Sequence, residues 1–232
     1  MKRLVFSAVT AGLLISGMLW AKDVWEKPFG KWNQKDAKKI LNDSPWAEEY
    51  VRTRAIAGKG SGIGGEKELY DTVTVRYFTS LPVRHAYYRL IQLVNRYDEF
   101  NDEQKRLFQE RFSAILRLDT SSQIIVAMEF SSNDRQLNLR LERFLNTTTK
   151  ERFKQNATLI SDRLGRVELA GYYPPSPDGT GTKFVFPREI DGQPVVSRED
   201  KEVKIELILP EIGRVLVSKK IKDMIYEGEL EI

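Results

Sequence analysis

Five side chains near the middle of the sequence have the types and spacing for chemistry. Arg84 and His85 are followed by Arg89, Gln92 and Arg96, and on a helix they make a polar row. Arginines spaced this way can hold a phosphate or a carboxylate through paired N–H donors. An ordinary solvated helix face has the same composition, and the sequence leaves both settings open. His85 is the only histidine and there is no cysteine. That excludes multi-histidine and thiolate metal sites, thiol nucleophiles and a two-histidine proton relay, so no metal and no cofactor is expected.

Aromatic residues form a second set. Trp25, Phe29, Trp32 and Trp46 crowd into one N-terminal stretch, and Tyr172 and Tyr173 open the proline-rich loop Tyr172-Tyr-Pro-Pro-Ser-Pro-Asp-Gly179. Clustered rings can present a platform to carbohydrate or peptide, or fold onto the domain's own core as a clasp. Solvent exposure separates the two. The candidate binding residues are thus Arg84, His85, Arg89, Arg96, Tyr172 and Tyr173.

Catalytic residues are harder to nominate. Glycosidase chemistry needs two carboxylates flanking one bond, but Glu202 and Glu206 alternate with Val203, Ile205 and Leu207 like the wet face of a strand, and Asp178 and Asp191 sit in turn sequences. None has an apolar setting that would make it an acid. Gly60, Gly62 and Gly65 satisfy G-x-G-x-x-G, yet the stretch leads into a strand rather than opening a helix, and Glu66 stands where a phosphate-binding loop needs lysine. Residues 58–67 therefore read as a flexible linker.

The elements that must position these residues follow from periodicity. Asn33 caps a short helix ending near Asn42, and Ser44-Pro45-Trp46 reads as the start of a second. Tyr70–Thr79 and Ser122–Ser131 are rich in β-branched and aromatic residues and read as buried strands. Val83, Ala86, Tyr87, Leu90, Ile91, Val94 and Tyr97 form a helical apolar stripe, which turns the arginine row to solvent. Asn101-Asp-Glu-Gln104 is a capping box for a second amphipathic helix, and Asn133 caps a third. Beyond Thr147 hairpins take over, with Gly165 in one turn, Pro187 marking a sheet edge, and Val203–Leu209 and Arg214–Lys220 flanking Pro210-Glu-Ile-Gly213.

Residues 1–21 have the form of an export signal: Lys2 and Arg3, an apolar run from Leu4 to Trp20, and Ala21 at the cleavage position. The expected location is periplasmic or extracellular, with membrane contact only if this segment stays uncleaved. The formal charge of +4 includes Lys2 and Arg3. The near-neutral remainder lacks the basic footprint that nucleic acid demands.

Trp25-Glu-Lys-Pro-Phe-Gly-Lys-Trp32, Ser44-Pro-Trp46, Val73-Thr-Val-Arg-Tyr77 followed by Leu81-Pro-Val-Arg84, and Asp223-Met-Ile-Tyr-Glu-Gly228 together resemble a family of secreted bacterial proteins with no assigned function. The resemblance covers most of the mature chain. It implies a bacterial envelope setting, in which the sequons at Asn42, Asn146 and Asn156 are not glycosylation sites, and it carries no activity or ligand.

The expectation is an α+β fold. The C-terminal hairpins and the strands near 70–79 and 122–131 form a mainly antiparallel sheet, covered on one face by three amphipathic helices, with an N-terminal aromatic helical clasp. Its segments are the export signal (1–21), the aromatic helical segment (22–57), the glycine-rich linker (58–67) and an α+β domain (68–232) that could divide near residue 150. The expected function is non-catalytic binding of an envelope protein or a cell-wall component. The alternative is an extracytoplasmic hydrolase with a carboxylate pair assembled by the fold.

Overall fold

A computed structural model describes residues 23–57 and 66–232; the expected export signal and residues 58–65 of the glycine-rich stretch lie outside them. The helices are α1 (Gln34–Asn42), α2 (Leu81–Val94), α3 (Asp102–Phe112), α4 (Arg135–Thr147) and α5 (Lys150–Phe153). The strands are β1 (Asp43–Ser44), β2 (Ala47–Ala57), β3 (Glu66–Tyr77), β4 (Gln123–Ser132), β5 (Ala157–Ser161), β6 (Gly165–Val167), β7 (Gly171–Ser176) and β8 (Gly181–Pro187). Two short ladder strands follow, β9 (Glu189–Ile190) and β10 (Gln193–Pro194), then β11 (Glu202–Leu209) and β12 (Gly213–Lys220), and finally β13 (Ile225–Tyr226) and β14 (Glu229–Leu230). The fold is α+β, and every strand pair is antiparallel.

The strands divide between two principal sheets rather than one. A six-stranded sheet runs β1-β2-β3-β4-β8-β7, and a four-stranded sheet runs β12-β11-β5-β6. Ile124-Ile-Val-Ala-Met128 in β4 is buried throughout, the pattern of a strand covered on both faces. Register shows what covers each face. Tyr77, Val126, Phe184 and Tyr172 form one cross-strand row, and Arg76, Ala127, Lys183 and Tyr173 form the next, pointing the opposite way. On the first face lie α4, α5 and the second sheet. The Tyr172 hydroxyl donates to the Leu145 carbonyl (2.6 Å), Phe153 meets Phe184 edge to face at 5.1 Å, and Lys219 pairs with Glu48 (3.0 Å). On the second face lie α1 and α2, where buried Arg76 donates to the Leu41 carbonyl (2.6 Å) and the Tyr87 hydroxyl (3.0 Å). The helices therefore cover both faces, and α3 packs on α2 through Phe108 and Tyr88 rather than on the sheet.

The expected second N-terminal helix is strand β2. Ser44 does not cap a helix start: its hydroxyl donates back to the Ile40 carbonyl (2.7 Å) and accepts the Trp46 N–H (3.2 Å), closing the end of α1. Pro45 suits a turn as well as a first helical turn, and Tyr50-Val-Arg-Thr53 has strand propensity. Residues 22–57 are thus not a helical unit apart, since β2 pairs with β3 from Ala47 opposite Arg76 to Ala57 opposite Glu66. Asp71 locks this pairing. It is fully buried and accepts from Arg52, Arg54 and Ser132. Burial alone would raise its carboxyl, but these donors hold it far below the usual carboxylate range.

Asn33 and Asn101 cap α1 and α3 with complete capping boxes. The cap of α4 is Asp134 instead of Asn133, whose side chain accepts the Tyr70 N–H (2.8 Å). Gly165 takes the expected positive φ of 68°. Pro187 ends β8 beyond the start of β7, on the side where its missing N–H meets no strand.

Candidate functional site

Strand β4 outlasts its neighbour. β8 pairs with it from Gln123 opposite Pro187 to Met128 opposite Thr182, whereas β3 stays paired as far as Ser132. The divergence is set by Gly181, which has a φ of +78° and so little room that a Cβ would run into the Met128 carbonyl oxygen. Only glycine lets the hairpin approach β4 this closely before leaving it. The hairpin tip is then fixed by the Asp178 carboxylate, which accepts from the Thr180 N–H (2.9 Å) and hydroxyl, and by Lys183 Nζ donating to that hydroxyl (2.6 Å). Burial pushes Asp178 up, but the Thr180 hydrogen bonds win and hold its carboxyl low.

Along an antiparallel strand, main-chain groups point to alternate neighbours. The Ile125 carbonyl accepts from Phe78 on the β3 side (2.7 Å), and the Ser122 carbonyl accepts from Arg188 on the β8 side (3.1 Å). Odd-numbered residues of β4 therefore bond toward β3 and even-numbered ones toward β8. Phe130 is even-numbered and lies past the last β8 pair, so its N–H and C=O point out of the sheet. Among the described residues neither group has a hydrogen-bond partner. At the far end Asn138 Nδ2 donates to the Ser132 carbonyl (2.6 Å) and closes the gap.

This open stretch forms the floor of a cleft of about 400 Å³, between Asn138, Glu142 and Leu145 of α4 and Pro175, Ser176 and Gly181 of the hairpin. Its floor offers one unpaired main-chain donor and acceptor, and its apolar lining includes Met128 and Leu145. The arrangement can receive an extended chain as an added strand. Two carboxylates border it, but they project from opposite faces of β4. Glu129 lies on the α1–α2 face, bound to Arg76 (2.8 Å), and Glu142 comes from α4 on the other. They do not converge on a single bond.

The residues singled out by sequence lie elsewhere. Helix α2 is covered on two sides, because the N-terminal segment and the chain around 113–117 lie over the side opposite the sheet. Arg84, Arg89 and Gln92 of the polar row are consequently buried, while Val94 of the apolar stripe is 76% exposed. Arg84 donates to the carbonyls of Thr79 (3.2 Å) and Leu116 (2.9 Å), and burial lowers its pKa. Arg89 donates to the Trp32 carbonyl (2.9 Å) and pairs with Asp98 (3.1 Å). Arg96 lies past the helix end, exposed, with a φ of 53°. These arginines do not form one anion-binding row. His85 is half-buried, stacked on Phe29 at 4.2 Å, with Nδ1 3.2 Å from the Tyr226 hydroxyl. Burial, and then the charge of Arg84, push its pKa down to about 4.

The N-terminal aromatics pack inward. Trp32 and Trp46 are fully buried, and Trp25 and Phe29 pack half-buried against the core. Trp32 Nε1 donates to the Lys27 carbonyl (2.9 Å) and Trp46 Nε1 to the Glu231 carbonyl (2.9 Å). Tyr172 and Tyr173 sit in strand β7 rather than a loop, so they part: Tyr172 packs against Phe153 and Phe184, and Tyr173 is 60% exposed. Among the described residues no cluster of three or more His, Asp or Glu could hold a metal ion, and no helix is long and apolar enough to cross a membrane.

Sequence reasoning passed over Phe130, Gly181 and Glu231. The signal for the first was the change from the apolar run ending at Met128 to the alternating Glu129-Phe-Ser-Ser132, where a buried strand becomes an edge. Glu231 has no such signal. Its carboxylate accepts the Leu81 N–H (2.6 Å) at the start of α2, and burial raises its pKa against the opposing pull of that N–H, Arg84 and Arg188.

No family model and no curated protein matches the chain. Among solved structures it is similar to a protein of unknown function from Burkholderia pseudomallei, with 11% identity over 63% of this chain and 72% of that one and a TM-score of 0.42. A likeness at that level carries no argument.

Proposed function

We propose that this chain is an exported, non-catalytic binding protein that takes an extended segment of another envelope protein as an added strand beside β4. The observation that carries the reading is the unpartnered N–H and C=O of Phe130, set in the floor of a cleft. At this half-exposed end of β4 such groups are open to solvent, and an added strand can pair with them. A cell-wall glycan has less support, because the rings that could stack on sugar are turned inward at Trp32 and Trp46. The hydrolase alternative has less still, since Glu129 and Glu142 stand on opposite faces of the strand.

The test begins with photo-crosslinkers at Ser131 and Ser176 in the native host, which identify the captured segment. A synthetic peptide of that segment is then added to the purified protein. Hydrogen exchange at the Phe130 amide is expected to slow at least about tenfold, as it does when a free strand edge gains a partner. Phe130→Pro removes the donor without breaking a native hydrogen bond, and should abolish peptide binding while the protein remains folded by circular dichroism. Peptide binding that survives this substitution, or peptide binding to the unsubstituted protein that leaves exchange at the Phe130 amide unslowed, would overturn the reading.

A further inference from the structure

The outer face of α1 is a fixed array of positive charge. Lys35, Lys38 and Lys39 recur at i, i+3 and i+4, with Lys27 and Lys31 in the turns just before. All five are exposed, and among the described residues none lies within ion-pair distance of a carboxylate. The outward stripe Gln34, Lys35, Lys38, Lys39 and Asn42 forms a shallow surface that an acidic side chain meets at one end, where Asn42 Nδ2 donates to Glu49 (3.1 Å). The nearest acid of the helix, Asp36, lies to one side and accepts the Asn33 N–H in the capping box (3.2 Å). The opposite side of α1 is anchored by buried Ala37, Ile40 and Leu41, so the lysines cannot turn inward.

What such a face meets is indicated by the chain ahead of it. The apolar run Leu4–Trp20 ends just before the described residues begin, and wherever that run is retained it ties α1 close to a bilayer surface. We infer that the lysine face of α1 rests on anionic phospholipid headgroups. The array supplies charge to an anionic surface and the apolar run supplies proximity, the two-signal arrangement that gives stable membrane association. In this orientation the membrane lies on the α1–α2 side of the main sheet. The cleft beside α4 belongs to the opposite layer and stays open to a partner.

The test uses the full chain in liposomes of phosphatidylcholine alone or mixed with phosphatidylglycerol, with amine acetylation followed residue by residue. A lysine near an anionic surface contributes about a fivefold preference, so labelling of Lys35, Lys38 and Lys39 should slow by about that factor in the mixed vesicles. Labelling should recover in high salt, where such attraction is screened, while exposed Lys220 and Lys222 stay unchanged. In K35Q/K38Q/K39Q the protection of Lys31 should be lost. Equal labelling in both vesicles overturns the inference. So does equal slowing at Lys220 and Lys222, and so does the same protection from inorganic phosphate without vesicles, which would mark a bare anion site.

Discussion

Arg84, Arg89 and Arg96 show how little residue type says about residue role. The first two are buried guanidinium groups that satisfy main-chain carbonyls which the turns around Thr79, Trp32 and Leu116 leave open. A buried donor removed in this way strands its acceptors and leaves a hole. Arg84→Ala and Arg89→Ala should each lower unfolding free energy by about 2–4 kcal/mol, measured by chemical denaturation. Arg96 is exposed with positive φ, so Arg96→Gly removes left-handed strain and should be neutral or stabilising by up to about 1 kcal/mol. Three equally small effects would mean that the row is solvated after all.

At the scale of elements, much of the fold was legible. The strands near 70–79 and 122–131, the capped helices α1 and α3 and the C-terminal hairpins follow from local pattern, because each is fixed by periodicity or by a cap within a few residues. Two readings failed for one reason: they depended on what packs across an element. Helix α2 has an apolar stripe, but its second covering comes from residues 29–32 and 113–117, far away in sequence, so no window around it shows that Arg84 and Arg89 are enclosed. Ser44-Pro45 has helix-start chemistry, and only pairing with β3 decides that the next residues extend. The candidate cleft was less legible still, because an open edge is defined by where a neighbour stops. That stop rests on Gly181. Gly181→Ala forces both a positive φ and a collision with the Met128 carbonyl, and should cost about 2–4 kcal/mol. Gly179→Ala, with similar φ but open space around it, should cost only about 1 kcal/mol. Comparing their denaturation midpoints separates backbone strain from the close approach. Equal losses would show that the Met128 contact does not set the divergence.

For the described residues as a whole, the distinctive feature is how residues 25–46 are joined to residues 226–231. Phe29 stacks on His85, His85 meets Tyr226, Tyr226 meets Trp46, and Trp46 donates to the Glu231 carbonyl. The residues around 29–46, α2 and the C-terminal residues thus share one aromatic cluster without any disulfide. Burial drives Tyr226 up to about 12 and His85 down to about 4. Unfolded, His85 titrates near 6.5, so between 6.5 and 4 the unfolded chain takes a proton that the folded chain refuses. The histidine's contribution is complete above pH 6.5 and is lost as pH falls toward 4, amounting to about 1–2 kcal/mol once solvent screening of the half-buried ring is allowed for. Glu231, with its raised pKa, works in the opposite direction as it takes up a proton in the folded state. Asp71 enters only at lower pH, because its donors hold it ionised. Denaturation at a series of pH values from 7.5 to 4.5 should therefore show stability level down to about pH 6.5 and falling below it. In His85→Phe, which keeps an aromatic face toward Phe29, the slope should flatten to less than half, even if the variant is less stable throughout for want of the Tyr226 hydrogen bond. An unchanged slope would assign the acid sensitivity elsewhere and leave His85 as packing alone.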